Sequence, residues 1–198
     1  MGTQTPLSQQ GRRYCHNGAG KQPAEAAAMT VLRNQMGANS RNHVLHIRRA
    51  EPKDAADICS VVRSSILELC FEDHHDDELI LSRWLENKTT EHVLCWIANP
   101  SNINFVAVRK EVILAAGCVT IAGEVILNYV SPTARFQGVS SALLAEMEAA
   151  TRSAGGDACV LNSTTTAHSF NQRRGYTERA SPVLKFGLTT WPMIKRLR

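Results

Sequence analysis

The hydrophobic period of this chain changes in its middle, and that change limits what it can fold into. Ala55, Ile58, Val62, Ile66 and Leu69 recur at helical spacing and make one apolar stripe. Helical patterns continue over Glu78 to Asn87 and Thr90 to Ala98, until Asn99-Pro100 stops them. Asn104 to Val108 and Ile113 to Thr120 then read as strands joined by a turn near Arg109 to Glu111. Gly123 separates these from a third strand, Glu124 to Val130, which Pro132 ends. From Gly138 to Ala154 the helical period returns, with Val139, Leu143, Met147 and Ala150 on one face and Gly155-Gly156 as the stop. A strand at Ala158 to Leu161, a short helix at Thr166 to Arg174, and strands around Val183 to Phe186 and Met193 to Leu197 follow. Val44 to Arg48 alternates as an opening strand. This order predicts an α/β fold, a mixed sheet with helices on its faces.

Composition sets the boundary of that fold. Residues 1–43 are rich in Gly, Gln, Asn, Ser and Ala, so they bury too little to repay their ordering entropy. They are expected to form a disordered basic extension, and residues 44–198 the folded domain. Residues 1–50 hold seven Lys/Arg against one acid, a balance of +6. The rest holds 15 against 17, a balance of −2, so the folded part offers no basic surface for nucleic acid. Apolar runs such as Val112 to Gly117 are far too short for a bilayer, and no membrane partner is expected. The six cysteines form no Cys-x-x-Cys pair, and most sit inside apolar runs. That usage fits a reduced, cytoplasmic chain.

The chemistry concentrates where the third strand passes through Ser131 to Ser140 into the long helix. A helix start offers unpaired N–H groups and the positive end of the dipole, and Gly138 there lets an anion approach. Arg135-x-x-Gly138-x-Ser140, followed by Ala142-Leu143-Leu144, resembles the GNAT signature Gln/Arg-x-x-Gly-x-Gly/Ala. Leu127 to Pro132 is similar to the strand that precedes it in that family. Thr166 to Tyr176 resembles the second acetyl-CoA motif, Ala-x-x-Phe-Tyr-x-x-x-Gly-Phe/Tyr. The resemblance covers about residues 45 to 198 and implies a GNAT-like mixed, mostly antiparallel sheet flanked by helices.

It further implies an N-acetyltransferase that uses acetyl-CoA as cosubstrate, without a metal. Backbone amides from about Gln137 to Ser141, including Gly138, Val139 and Ser140, would hold the pyrophosphate beside Arg135. The strand near Asn128, Tyr129 and Val130 would splay from its neighbour and pair with the pantetheine and the thioester oxygen. An amine would attack acetyl-CoA directly. Glu124 matches a glutamate that histone-acetyltransferase-like members place at the start of this strand, so it is the candidate base. The alternative is a solvated glutamate at a strand end. Strand alternation predicts Glu124, Ile126, Asn128 and Val130 on one side, which would let Asn128 orient the same amine.

Two positions depart from the family pattern. Ser140 stands at a Gly/Ala position. Asn171 stands where many members carry the Tyr that protonates the leaving thiolate, leaving water or Tyr129 to substitute. Arg173 and Arg174 either meet the 3′-phosphate or favour the helix C-terminus. Glu72 to Asp77 reads as a solvated acidic loop rather than a metal site, Trp84 and Trp96 as core, and His168 as exposed. The acceptor expected is a primary amine on a small molecule or a protein, and homodimerisation is left open. The competing function is an acyl-CoA-binding module with weak catalysis, for which Asn171 is the support.

Overall fold

The computed structural model describes residues 44–185 and 187–197, so the expected extension over residues 1–43 lies outside the described residues. The described residues open with β1 (His46–Arg49), two residues later than the alternation predicts. The Arg48 guanidinium donates to both oxygens of Asp54, at 2.6 and 2.9 Å, and so anchors the residue that precedes α1 (Ala55–Leu69). A short helix α2 (Phe71–His74) follows, then α3 (Glu78–Leu85), whose first amides are capped by Asp77, and α4 (Thr90–Ala98), capped by Thr89.

The strands β2 (Asn102–Arg109), β3 (Val112–Thr120) and β4 (Val125–Val130) extend β1 into a four-stranded antiparallel sheet in the order β1-β2-β3-β4. Helix α5 (Val139–Ser153) leads to β5 (Ala158–Thr164), then α6 (Thr165–Arg173). The chain ends on β6 (Thr177–Glu178), β7 (Val183–Lys185) and β8 (Leu188–Arg196). β8 lies between β5 and β6, and β7 joins it as a hairpin, making a second antiparallel sheet.

Two apolar clusters hold the layers. On one face of the first sheet, Ile58, Val62 and Ile66 of α1 and Val93 of α4 pack on Val106, Ile113 and Ala116. On the other, Leu143 and Met147 of α5 pack on Phe105, Ala107, Ala115 and Val119, and the same cluster reaches Leu161 and Met193 of the second sheet. Gly117 lets α5 sit close, since a Cβ there would stand 3.0 Å from Leu143 and Met147.

Among the described residues the two sheets meet at a single parallel bridge, Glu124 to Val160, reinforced by the Val160 N–H donating to the Gly123 carbonyl at 2.9 Å. Beyond it β4 and β5 part. Gly123 makes this approach possible: its φ is +85°, and a Cβ would lie 2.5 Å from the Ala158 carbonyl oxygen.

Two expectations are corrected. The Glu72 to Asp77 run is not a solvated loop throughout, because it begins inside α2, and Asp73 and His74 are buried. Nor do Glu124 and Asn128 share a side. Cys118 faces Leu127 while Val119 faces Val125, so Ile126 is the extra residue of a β-bulge. The bulge reverses the alternation and sets Val125, Asn128 and Val130 with Val119, Gly117 and Ala115 on the α5 face. Tyr129 pairs with Ala116 and faces α1, and Glu124, whose carbonyl accepts from the Thr120 N–H at 2.8 Å, is on that same side.

Gly123→Ala is expected to lower the unfolding free energy by about 1–3 kcal/mol, from left-handed strain and the clash with Ala158. Urea denaturation of the two proteins checks this; equal midpoints would show that the bridge tolerates a methyl group.

Candidate active site: the cleft between the parted strands

The space that β4 and β5 open is a cleft of about 530 Å³. Its walls are Val125 to Val130 on one side and Leu161 to Thr164 on the other, with the start of α5 and one face of α6 completing it. The sequence explains each wall. Pro132 begins a short 3-10 turn, Pro132–Ala134, that carries the chain away from the sheet. Gly138, at φ +77°, then turns it into α5. A Cβ at Gly138 would meet nothing within 4 Å, so the ground before the helix start is open. The first helical bond is made by the Ala142 N–H to the Gly138 carbonyl at 3.0 Å, which leaves the amides of Val139, Ser140 and Ser141 without an intrahelical acceptor.

The turn is braced from outside. Arg109 donates to the Gln137 side-chain oxygen at 2.7 Å, and the Gln137 amide donates to the Thr133 carbonyl at 2.9 Å. Gln137 therefore serves the loop with its side chain. The Asn128 side chain donates to the Ser140 carbonyl at 3.4 Å and ties β4 to the helix start. Its Oδ1 is buried without a partner, and so is Oγ1 of Thr166, across the cleft on α6. Both atoms belong to residues that line the cleft, and each is buried without a hydrogen-bond partner among the described residues.

Charge points the same way. The ionised side chains lining the cleft are Arg135, Arg173 and Arg174, and no Asp or Glu is among them. A second cavity of about 260 Å³ continues past Ser141 and Leu144, bounded by Arg173, Arg174 and Lys195, with Glu148 as its one acidic lining residue. Such a field attracts a polyanion. Lys195 is partly used already, donating to buried Glu148 at 2.7 Å.

Of the sequence-predicted residues, Asn128, Tyr129, Val130, Arg135, Gly138, Val139, Ser140, Ser141, Asn171 and Arg174 all line the cleft. Gln137 and Glu124 do not. Glu124 is exposed at the junction of the strands, one residue before Val125, which does line it. Asn171 is buried, and its amide donates to Ser163 Oγ on β5 at 2.9 Å. Burial pushes the Tyr129 phenol well above its ordinary pKa, so it stays protonated at neutral pH. Burial, with the Asp73 carboxylate nearby, pushes the Cys70 thiol up to about 12. Trp84, expected as core, is half-buried and lines the cleft beside Cys70 and Tyr129. His168 is partly covered, with Nε2 2.8 Å from Glu178 and its ring against Trp191.

Sequence reading missed Asp73. Thr164, which precedes α6, makes no side-chain cap. Asp73 supplies the cap from 92 positions away, accepting from the Thr165 N–H at 2.7 Å and from the Thr166 N–H at 3.3 Å. The segment after α1 thereby fixes the helix that carries Asn171 and that Arg174 ends. Only the acidic run itself signalled it, and periodicity gives no partner for a contact so remote in sequence.

The chain belongs to the GNAT family: residues 72–197 match its Acetyltransferase (GNAT) domain. Solved structures agree in fold. A GCN5-related N-acetyltransferase from Rhodopseudomonas palustris superposes with a TM-score of 0.69 at 19% identity, over 77% of this chain and 95% of that one. The PaiA N-acetyltransferase of Thermoplasma acidophilum, solved in complex with coenzyme A, gives 0.66 at 18% identity, over 78% and 99%. YncA of Salmonella typhimurium, solved with its cofactor acetyl-CoA, gives 0.60 at 20% identity, over 78% and 94%. No curated protein matches the sequence.

Asp73→Ala is expected to cost about 1–2 kcal/mol, the loss of one helix cap, with Asp73→Asn costing less. Equilibrium denaturation of both variants checks the order; an Asp73→Ala protein as stable as wild type would remove Asp73 from this role.

Proposed function

We propose that this protein transfers the acetyl group of acetyl-CoA to a primary amine, on a small molecule or a protein, by direct attack of the amine. The observation that carries the reading is the opening of β4 from β5 beyond one bridge, with the free amides of α5 at its mouth. Acetyl-CoA supplies an activated thioester. The amides of Gly138, Val139, Ser140 and Ser141 hold its pyrophosphate, with Arg135 beside them and Gln137 bracing the loop. Arg174 meets phosphate at the second cavity. The unpaired edge of β4 at Asn128, Tyr129 and Val130 bonds the pantetheine and the thioester oxygen, and charge developing on that oxygen is stabilised there. The orphaned acceptors of Asn128 and Thr166 support this reading.

Glu124 removes the ammonium proton. Two observations support it. No carboxylate lines the cleft, and Glu124 adjoins its wall. The bulge also turns Glu124 to the face opposite Asn128, so the base would meet the amine on one face of β4 while Asn128 faces α5 on the other. Asn171 holds Ser163 and supplies no proton to the leaving thiolate; the Tyr129 phenol is protonated but faces α1, which favours water as the donor.

Coenzyme A at a hundredfold excess over its Kd is expected to raise the melting temperature by about 5–10 °C. Gly138→Glu is expected to abolish the shift, because a side chain and a negative charge would fill the pyrophosphate seat. No shift in the wild-type protein at millimolar coenzyme A would end the cosubstrate reading.

Glu124→Gln is expected to keep coenzyme A affinity and lower turnover by about 10²–10⁴-fold, with partial recovery at high pH where free amine is abundant. The measurement is thiol release across a panel of amines. Unchanged turnover would reject Glu124 and leave water as the proton acceptor.

A further inference from the structure

Phe136 follows Arg135 in the loop before α5, and its geometry is not that of a filler residue. Its φ is +63°, in the left-handed region that a bulky side chain enters only at a cost. No packing offsets that cost, since Phe136 is 91% exposed. What the conformation achieves is a contact. The Arg135 guanidinium lies over the Phe136 ring, 4.5 Å from its centroid. Both residues line the cleft with Gly138 and Ser140. Arg135 is also near enough to Cys70, inside the cleft, to oppose the rise that burial gives its thiol. Stacking a planar cation on a ring removes rotamers that an exposed arginine would otherwise keep.

We propose that Phe136 is a positioning residue for the phosphate-bearing end of the cosubstrate: its ring holds the Arg135 guanidinium at the mouth of the amide cradle formed by the start of α5. The inference rests on the acetyl-CoA reading above. It makes the backbone strain at Phe136 part of the binding device. A glycine at this position would relax the loop and leave Arg135 to sample solvent. A leucine would keep a large apolar group and the strain but remove the π face.

The test uses the full chain with three variants, Phe136→Gly, Phe136→Leu and Phe136→Tyr. Two quantities are measured, the melting temperature of the free protein and the affinity for coenzyme A by titration calorimetry. Phe136→Gly is expected to raise the melting temperature by about 1–4 °C while weakening coenzyme A binding about three- to tenfold. Phe136→Leu is expected to weaken binding similarly without the thermal gain, and Phe136→Tyr to restore wild-type affinity. Acetyl-pantetheine, which lacks the phosphates, is expected to bind wild type and Phe136→Gly alike. Wild-type coenzyme A affinity in both Phe136→Gly and Phe136→Leu overturns the inference while leaving the cosubstrate reading intact. A loss that persists with acetyl-pantetheine also overturns it, since the ring would then touch the pantetheine rather than position Arg135. Absence of coenzyme A binding by the wild-type protein overturns the cosubstrate reading and this inference with it.

Discussion

A β-strand can leave its neighbour only if the backbone groups it abandons find another partner, because buried N–H and C=O groups left unpaired are costly. β4 and β5 face that condition from the Glu124–Val160 bridge onward. Each keeps its own sheet on one side, β3 and β8 respectively, and each presents a bare edge to the other. The rest of the site follows from this parting. The cleft is the space between the two edges, and α5 begins where that space opens. Asn128 Oδ1 and Thr166 Oγ1, on residues that line this space, are buried without a partner among the described residues. The junction depends on Gly123, since no other residue lets the chain pass so near the Ala158 carbonyl.

Periodicity made the layers legible. The stripe of Ala55, Ile58, Val62 and Ile66 is the buried face of α1, and Thr90 to Ala98 is α4 to the residue. Such stripes are set by burial on one side of an element, which the local sequence encodes. The glycine turn and helix start were legible for a similar reason, since Gly138 answers to a backbone angle. The bulge at Ile126 was not, because nothing in Val125-Ile126-Leu127 distinguishes an inserted residue from a paired one. Only the partner strand reveals it, and it reversed the expected side of Glu124 relative to Asn128. Asp73 was illegible on the same ground, as its meaning lies in two amides 92 and 93 positions away. Phe136 gave no signal because left-handed backbone usually advertises itself through Gly or Asn.

The two halves of the site are joined by contacts that cross between layers rather than by chain neighbours. Asp73, between α1 and α3, caps α6. Asn128, on β4, holds the start of α5. Asn171, on α6, holds Ser163 on β5. Each bond ties one wall of the cleft to another, so the width of the opening is fixed by side chains. This also gives Asn171 a structural reason to be an amide: it donates to Ser163 from a buried position, where a larger phenol would have to displace β5 or point elsewhere.

The bulge has a mechanistic consequence in the proposed reaction. With regular alternation, Glu124 and Asn128 would project from one face, and a proton acceptor would compete with the cosubstrate for the same volume. With Ile126 inserted, Asn128 faces α5, where the phosphate cradle lies, and Glu124 faces the α1 side with Tyr129. An amine reaching the thioester from the α1 side would meet the carbonyl through the gap between β4 and β5, with the leaving thiolate on the opposite side. In that reading the amine and the bulk of the cosubstrate would approach the gap from different faces of the sheet, although Arg135 lies close to Cys70 at the end of α1. One inserted residue therefore does for the chemistry what a longer loop would do less rigidly, by turning a side chain through the plane of the sheet while leaving the strand in place.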